Sequence, residues 1–493
     1  MNTSSRLLYS ASSLAELDRR AALQGLPPVL LMERAGEAAF GFIRTRWPEA
    51  RHWLILAGGG NNGGDGYVVA RLAHLAGLTV TVAALKPPPP DGPAAAAASA
   101  YQGCGGALQP LGASLAAGAD LVVDALFGIG LDRPPRGPAA EIIDKLNRAS
   151  LPVAAVDIPS GVQADTGAVA GAAVRADLTV TFIGLKPGLF TGAGVDHVGR
   201  LEFAGLGVPE ALAADLRPRA QLIEGDELNS VLPARSAGAH KGRFGHVLVI
   251  GGERGFAGAP CLAGVAAARA GAGLVSVLTR PEHVVGIVGV RPELMAHAST
   301  DGVLSPALLE RANVLALGPG LGQSPWSRAL WRAALDASQP LVLDADGLNL
   351  LAGDPRRRED WILTPHPGEA ARLLETTVGA IEADRIRSIQ RLVERFEATV
   401  VLKGAGSLVL SPGEGMPWLC DRGNPGMASG GMGDALTGVI AALRAQGLDA
   451  SVAARLGVWI HACAGDRAAA RGGSRGLLAG DLIDELRAVV NPS

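Results

Sequence analysis

Short apolar runs that end in glycine or an acidic residue recur along the chain, and helix-like segments separate most of them. In the first half these runs are His52–Ala57, Leu78–Leu85, Asp120–Phe127, Pro152–Val156 and Asp177–Ile183. Segments such as Tyr67–Ala76 and Ala139–Ala149 have the pattern of helices between them. This alternation is typical of parallel strands joined by helical crossovers. It predicts a doubly wound α/β sheet.

A second series of runs follows a break in this rhythm. It comprises His246–Ile250, Gly273–Leu278, Asn313–Leu317, Pro340–Leu343, Trp361–Leu363 and Thr399–Lys403. The break lies at Glu210–Asn229, and a tail with a helical pattern starts at Asp434. With 493 residues the chain is also well above the ~150 residues expected of one domain. We therefore expect two three-layer αβα domains, at residues 1–215 and 228–493.

Two further segments have distinctive local patterns. Ser13–Phe40 resembles two amphipathic helices separated by Pro27-Pro28. The proline run Lys86–Pro90 and the alanine run Ala94–Ala98 predict a surface loop of low complexity.

Composition excludes several classes of function. A net charge of −3 lacks the basic footprint of a nucleic-acid-binding protein. The 4 cysteines are far apart and favour a reducing compartment without disulfides or structural zinc. No apolar run reaches the ~18 residues of a membrane helix, and Met1–Leu14 has no secretory pattern. We expect a cytoplasmic enzyme with no nucleic-acid or membrane partner.

The first glycine-rich turn, Gly58–Gly66, follows a strand and opens a helix. Its G-x-G-x-x-G pattern suggests backbone amides that face a pyrophosphate. The next strand ends in Ala84-Leu85-Lys86 without an acid for the ribose, which disfavours an ordinary dehydrogenase. A tight turn with Asx caps is the structural alternative.

Acidic residues close two later strands of the first half. Asp124 precedes Gly128-Ile129-Gly130, and Asp157 precedes Ile158-Pro159-Ser160-Gly161. The carboxyl ends of strands line the ligand crevice of a doubly wound sheet. These acids are therefore candidate site residues, although an Asp that caps a loop is the alternative.

Four motifs of the first half occur in order: GGGNNGGDGYVVARLA, VVDALFGIGL, VDIPSGVQADTG and FIGLKPGLFTG. Together they resemble the YjeF N-terminal family of NAD(P)H-hydrate epimerases, over about residues 10–205, with a Rossmann-like fold. The resemblance implies that the hydrated dinucleotide contacts Asn61, Asn62, Gly63, Gly64, Asp65, Gly128, Ile129, Gly130, Leu131, Asp132, Arg133, Pro134 and Asp157. It implies a potassium ion held by Asn62, Asp124 and Ser160, whose oxygen atoms suit a hard cation. Asp157 is our candidate for acid–base work, and Lys186 either orients it or is a surface lysine.

In the second half, the most informative stretch is Asn424–Asp434, which runs into the helix Ala435–Ala445. Glycines at a helix start leave backbone amides free to bind an anion. An Asp at that place repels an anion, but it suits a base that takes a proton from a hydroxyl attacking phosphorus. An ordinary helix N-cap is the alternative for Asp434.

Further motifs flank the other strands of this half: HKGRFG, GPGLG, DADGLN, TPHPGE, KGAGS and GNPGMASGGMGD. They resemble the ADP-dependent NAD(P)H-hydrate dehydratases of the ribokinase-like superfamily, over about residues 230–490. The resemblance implies substrate contacts at Ala259, Gly322, His366 and Asp434. It places the nucleotide at Lys403, Gly404, Ala405, Gly406, Ser407 and Gly433, with Asp434 at the reacting hydroxyl. His366 read alone is equally a satisfied polar residue beside prolines.

The two resemblances imply one repair pathway for NADHX and NADPHX, the hydrated forms of the nicotinamide cofactors. The first domain would interconvert their R and S epimers, and the second would dehydrate the S epimer at the expense of ADP with Mg²⁺, giving AMP and phosphate. We also expect a homo-oligomer. Two alternatives remain at this point, a small-molecule kinase of the ribokinase type and a nucleotide-sensing protein without turnover.

Overall fold

The computed structural model describes residues 6–112 and 118–491, which divide into two compact units, Met1–Gln221 and Leu222–Ser493. The residues 1–5 within the Met1–Leu14 segment lie outside this description. No helix within the described ranges is long and apolar enough to cross a membrane. Cys104, Cys261, Cys420 and Cys463 carry free thiols.

The first unit contains a parallel sheet of order β4-β3-β2-β5-β6-β7-β8. Its strands, with the short antiparallel pair β1 and β9, are β1 Leu7–Leu8, β2 His52–Ala57, β3 Thr79–Ala84, β4 Leu108–Pro110, β5 Leu121–Ala125, β6 Val153–Val156, β7 Leu178–Phe182, β8 Arg200–Ala204 and β9 Ala220–Leu222. Its helices are α1 Ala11–Leu23, α2 Pro28–Arg46, α3 Asn61–Leu75, α4 Pro93–Gly103, α5 Pro138–Arg148 and α6 Val195–Val198.

Helices cover both faces of this sheet. Successive side chains of one strand point to opposite faces, so each strand contributes to two separate clusters. Trp53 and Ile55 of β2 pack with α2, α3 and α4. Leu54 and Leu56 pack with α5 in a separate cluster. The three-layer arrangement expected from the sequence is confirmed here.

The second unit contains a sheet of order β18-β17-β16-β15-β14-β13-β10-β11-β12. It is parallel from β12 to β16, whereas β17 and β18 are antiparallel. Its strands are β10 His246–Ile250, β11 Leu274–Thr279, β12 Met295–Ala298, β13 Val314–Leu317, β14 Leu341–Leu343, β15 Trp361–Leu363, β16 Thr399–Leu402, β17 Ser407–Leu410 and β18 Trp418–Cys420.

The helices of the second unit cover its sheet on both faces too. They are α7 Leu228–Val231, α8 Gly258–Arg269, α9 Val284–Val290, α10 Pro306–Leu309, α11 Pro325–Leu335, α12 Ala345–Gly353, α13 Pro367–Leu373, α14 Val378–Ala383, α15 Arg385–Phe396, α16 Met432–Ala445, α17 Ala450–Gly472 and α18 Ala479–Val489. Val247 and Val249 of β10 pack with α8, α16, α17 and α18. Leu248 and Ile250, on the opposite face of the same strand, are fully buried as well.

Two local predictions need correction. Ala94–Ala98 is not a surface loop but part of α4, in which Ala94, Ala97 and Ala98 are buried. Pro93 at the helix start and the high helix propensity of alanine favour this outcome. The helix expected at Tyr67–Ala76 begins at Asn61, so two thirds of the glycine-rich turn Gly58–Gly66 is helical.

Two candidate active sites

The glycines of the β2–α3 turn have two different roles. A Cβ atom on Gly58 would lie 1.9 Å from the carbonyl oxygen of Leu126, and one on Gly63 would lie 2.0 Å from that of Gly58. Only glycine allows backbones to approach so closely. A Cβ on Gly60, by contrast, would meet no atom within 4 Å. Gly60 therefore leaves room for a ligand, whereas Gly58 and Gly63 are needed for packing.

A cavity of about 880 Å³ lies at the carboxyl end of the first sheet. Most of the residues predicted to contact the dinucleotide line it: Asn61, Asn62, Asp65, Gly128, Ile129, Gly130, Leu131, Asp132, Arg133, Pro134 and Asp157. Gly63 and Gly64 are absent from this lining. Each is buried, and a Cβ on Gly64 would lie 2.4 Å from Met32 Cε.

Asp157 and Lys186 form an ion pair at the wall of this cavity. Lys186 is 1% exposed, and its Nζ also donates to Thr181 Oγ1 at 2.7 Å and to the carbonyl oxygen of Phe182 at 3.1 Å. A buried ammonium with three oxygen partners is not a surface lysine. The structure thus favours the interpretation in which Lys186 orients Asp157.

Two more carboxyl groups line the same cavity, on Asp18 and Asp65. Burial raises the pKa of Asp18 to about 6, and the charge of Asp157 adds to this effect. Burial also raises the pKa of Asp65 well above its usual value, with further contributions from Asp157 and Asp18. Motif reasoning missed Asp18, because α1 precedes the first motif and its pattern indicates only an amphipathic helix.

The residues predicted to hold potassium lie deep beside the cavity. The Asp124 carboxylate is fully buried and accepts hydrogen bonds from Ser160 N at 2.8 Å and from Ser160 Oγ at 2.6 Å. Asn62 is 8% exposed, and neither atom of its amide group has a hydrogen-bond partner. An unpartnered buried amide is costly unless it binds something. Its oxygen, with those of Asp124 and Ser160, suits a hard monovalent cation.

In the second unit, the predicted site residues follow strands β10, β13 and β15, with β14 between the last two. Ala259 lies on α8 after β10, Gly322 follows β13 and His366 follows β15. The Gly322 amide donates to Asp346 Oδ2 at 2.8 Å. His366 is the N-cap of α13: its Nδ1 accepts from the Gly368 amide at 2.9 Å, while the rest of its ring stays half exposed. This explains its place beside prolines, and its Nε2 lies 3.5 Å from Oε1 of the buried Glu369.

A buried charge network lies under this edge of the sheet. Asp344, 1% exposed, accepts from Lys403 Nζ at 2.7 Å, Thr364 Oγ1 at 2.8 Å and Thr437 Oγ1 at 2.9 Å. Lys403 holds the pKa of Asp344 below its usual value in spite of burial. Glu369 lies 3.7 Å from Lys403 Nζ, and burial raises its pKa to about 7.

Asp434 lies in the first turn of α16, close to this network. The N-cap is Gly431, with φ of +91°, so Asp434 is not the capping residue. Within the described ranges, no hydrogen bond holds its carboxyl group. Burial raises the pKa of Asp434 to about 7, with Asp344 as the next contribution. The group is thus free to exchange a proton near neutral pH.

The predicted nucleotide loop Lys403–Ser407 connects β16 and β17. Gly404 and Gly406 have φ of +142° and +66°, which favour glycine. The buried guanidinium of Arg385 donates to the carbonyl oxygens of Leu402 at 3.2 Å and Lys403 at 3.1 Å. These hydrogen bonds fix the start of the loop. The Lys403 side chain points to Asp344. A Cβ on Gly433 would lie 3.3 Å from Lys403 Nζ, which brings this loop and α16 together.

The described residues contain no group of three or more His, Cys, Asp or Glu side chains that could hold a metal ion.

Comparison with known proteins gives matches for both units. A model described as YjeF-related protein N-terminus matches residues 29–188, and one described as NAD(P)H-hydrate dehydratase matches residues 247–488. A bifunctional NAD(P)H-hydrate repair enzyme of Coxiella burnetii is 47% identical over 99% of this chain and 100% of its own. The namesake of Escherichia coli is 46% identical over 98% and 94%. A solved ribokinase-like superfamily protein of Enterococcus faecalis matches with a TM-score of 0.50 and 29% identity, over 55% of this chain and 94% of its own.

Proposed function

The chain belongs to the bifunctional NAD(P)H-hydrate repair enzymes, and on that premise we propose how its two units divide the work. The first unit interconverts the R and S epimers of NADHX and NADPHX, and the second dehydrates the S epimer with ADP, giving AMP and phosphate. The resemblance seen in the motifs is confirmed by these relatives.

The observation that carries the proposal for the second unit is the position of Asp434. Hydroxide is a poor leaving group, so the substrate hydroxyl must be phosphorylated before it is eliminated. A carboxyl group without hydrogen-bond partners, at a helix start and with a pKa of about 7, suits removal of the proton from that hydroxyl. Backbone amides of the first turn of α16 would bind the phosphates of ADP, and the loop Lys403–Ser407 would hold the rest of the nucleotide. Ala259, Gly322 and His366 would contact the hydrated cofactor.

For the first unit, support comes from the ion pair of Asp157 with Lys186 at the cavity wall. A carboxylate that a buried lysine orients toward the ligand site suits general-base work at the hydrated ring carbon. The residues that line the cavity, from Asn61 to Asp65 and from Gly128 to Pro134, would bind the dinucleotide.

Two cations complete the proposal. Asn62, Asp124 and Ser160 would hold K⁺, which would stabilise the phosphate end of the substrate by its charge. Mg²⁺ would arrive with ADP and screen its phosphates. We further propose that the enzyme is a cytoplasmic homo-oligomer.

Chiral separation of the two NADHX epimers after incubation with ADP tests the assignment. In Asp157→Ala, the S epimer should still be consumed in the ADP-dependent reaction, whereas the R epimer should disappear only at the rate of spontaneous epimerisation. Asp434→Ala should stop the ADP-dependent recovery of absorbance at 340 nm while the epimers still exchange. Accumulation of a phosphorylated product without elimination would indicate a kinase instead, and binding without Asp434-dependent chemistry would indicate a nucleotide sensor.

A further inference from the structure

We propose that Asp18 is a second catalytic carboxyl group of the first unit, which gives a proton to the ring hydroxyl while Asp157 takes one from the incoming water. This inference rests on the proposed epimerase function. It assigns acid and base roles to two different side chains of one cavity.

The placement of Asp18 on α1 points to the cavity. Leu14, Asp18 and Ala22 recur at intervals of four residues, so they share one face of the helix, and all three line the cavity. On another face, Glu16 pairs with Arg20. Within the described residues, no hydrogen bond or ion pair engages the Asp18 carboxyl group. This half-buried carboxyl group is therefore available to a ligand in the cavity.

Different charged groups surround the two acids of this cavity. Asp157, after β6, forms an ion pair with Lys186, after β7, whereas Asp18 has no cation paired to it. Asp65 on α3 adds a further acidic neighbour. Burial and the charge of Asp157 raise the pKa of Asp18 to about 6, and the charge of Lys186 opposes this in part. A carboxyl group with a raised pKa is suited to donate a proton, and a carboxylate paired with a lysine is suited to accept one.

The step balances as follows. The protonated Asp18 donates its proton to the hydroxyl on the ring carbon, and the C–O bond breaks with release of water. The lone pair of the ring nitrogen forms a C=N bond, which gives a cationic ring. Water adds to the opposite face of that carbon and loses its proton to the Asp157 carboxylate. The epimer is complete, a proton has moved from Asp18 to Asp157, and solvent returns both residues to their initial states.

The charge of this part of the cavity favours such a cation over a neutral ring-opened form. Asp18, Asp65 and Asp157 line the cavity together, and the cation whose charge acts on both Asp18 and Asp65 is Lys186. The other cationic side chains of the lining are Arg19, Lys86, Arg133 and Arg136. Carboxylates stabilise positive charge that develops nearby in a low-dielectric site. A neutral intermediate would gain nothing from them.

The test compares Asp18→Asn, Asp18→Glu and the matched control Glu16→Gln in the full-length chain. We expect Asp18→Asn to lower the rate of epimer exchange about 100-fold, a typical loss for one proton-transferring group. Asp18→Glu should restore part of that rate, and Glu16→Gln should leave it unchanged. The wild-type rate, corrected for spontaneous exchange, should fall as pH rises through the pKa of Asp18, and Asp18→Asn should lose this limb of the profile. ADP-dependent recovery from the S epimer reports whether each variant is folded.

A second measurement follows the oxygen atom. In water labelled with ¹⁸O, each enzyme-catalysed epimerisation should place one labelled oxygen on the ring carbon. Epimerisation with retention of the original oxygen overturns the proposed step, and an unchanged rate and pH profile in Asp18→Asn overturn the role of Asp18. If the wild-type chain itself exchanges no epimers, the proposed function of the first unit fails instead.

Discussion

Asp157 and Asp434 show how the surroundings of one side-chain type determine its chemistry. Asp157 forms an ion pair with the buried ammonium of Lys186. Asp434 has no cation paired to it, and burial with the neighbouring Asp344 raises its pKa to about 7. The carboxyl group of Asp434 therefore changes charge within the neutral range, whereas that of Asp157 has a cation as its direct partner.

Asp434→Asn should separate activity from stability. The amide cannot act as a base, so ADP-dependent NADH recovery should fall at least about 100-fold. The folded-state pKa of Asp434 is above its usual value of 3.8, so its ionisation opposes folding. This cost is absent at low pH, increases as pH rises above 3.8 and is complete above about 7. We expect the variant to unfold at a higher temperature than wild type at alkaline pH, with the difference vanishing on acidification. Asp336→Asn, at an exposed helix end, is the control; a lower Tm for Asp434→Asn at alkaline pH would contradict the electrostatic interpretation.

Asn62→Leu tests the cation site by removing an amide that has no protein partner. Because no hydrogen bond is lost, we expect a small change in stability in sodium buffer, within about 1 kcal/mol. In wild type, potassium should raise the Tm of the first unit and accelerate epimer exchange. Both responses should disappear in Asn62→Leu. Differential scanning calorimetry in chloride salts of potassium and tetramethylammonium measures the first response, and a potassium effect that survives in the variant would place the ion elsewhere.

The sequence predicts candidate site residues that lie within strand-end motifs, but it does not reveal candidates whose place in a cavity depends on packing. Asp157 and Asp434 lie in such motifs, so the sequence alone indicates them as candidates. Asp18 is one acid among several on an amphipathic helix, and only the tertiary arrangement directs it to a cavity. Glu369 belongs to a motif, but its contact with Lys403 brings together residues that are distant in the sequence.

At the scale of elements, the β2–α3 turn offers a matched pair of glycine substitutions. Gly63→Ala would place a methyl group 2.0 Å from the Gly58 carbonyl oxygen, and we expect a loss of about 1–3 kcal/mol in the stability of the first unit. Gly60→Ala meets no atom and has φ of −104°, so the unfolding free energy should change by less than about 0.5 kcal/mol. Its methyl group would instead face the cavity and raise the KM for the hydrated cofactor. Urea unfolding and initial epimerisation rates distinguish the two; equal destabilisation by both variants would refute the assigned roles.

The predicted strands of the two parallel cores agree with the structure to within one or two residues at their ends. Buried strands such as His246–Ile250 are apolar throughout, because helices cover both of their faces. The sequence pattern does not predict the antiparallel pair β17 and β18 at the edge of the second sheet. Strands of three or four residues are too short to show a clear apolar periodicity. The prediction of a loop at Ala94–Ala98 is wrong because it relies on the neighbouring prolines and neglects the high helix propensity of alanine.

At the scale of the whole molecule, the chain joins two reactions that share a diffusible substrate. An equimolar mixture of Asp157→Ala and Asp434→Ala chains should clear both epimers, because the first supplies an intact dehydratase and the second an intact epimerase. Chiral separation over time checks this against each variant alone. If the R epimer persists in the mixture, the product of epimerisation is not released to another chain, which would contradict exchange through solution.

The backbone at Asp157 has φ of +68°, a conformation that asparagine tolerates nearly as well as aspartate. Asp157→Asn would consequently preserve the turn while it removes the negative charge, which makes it a better inactive variant than alanine for trapping. Crystals of that variant soaked with each purified epimer would show how each stereoisomer binds in the unreactive pocket. The position of the substituted side chain relative to the ring would then show from which face water adds.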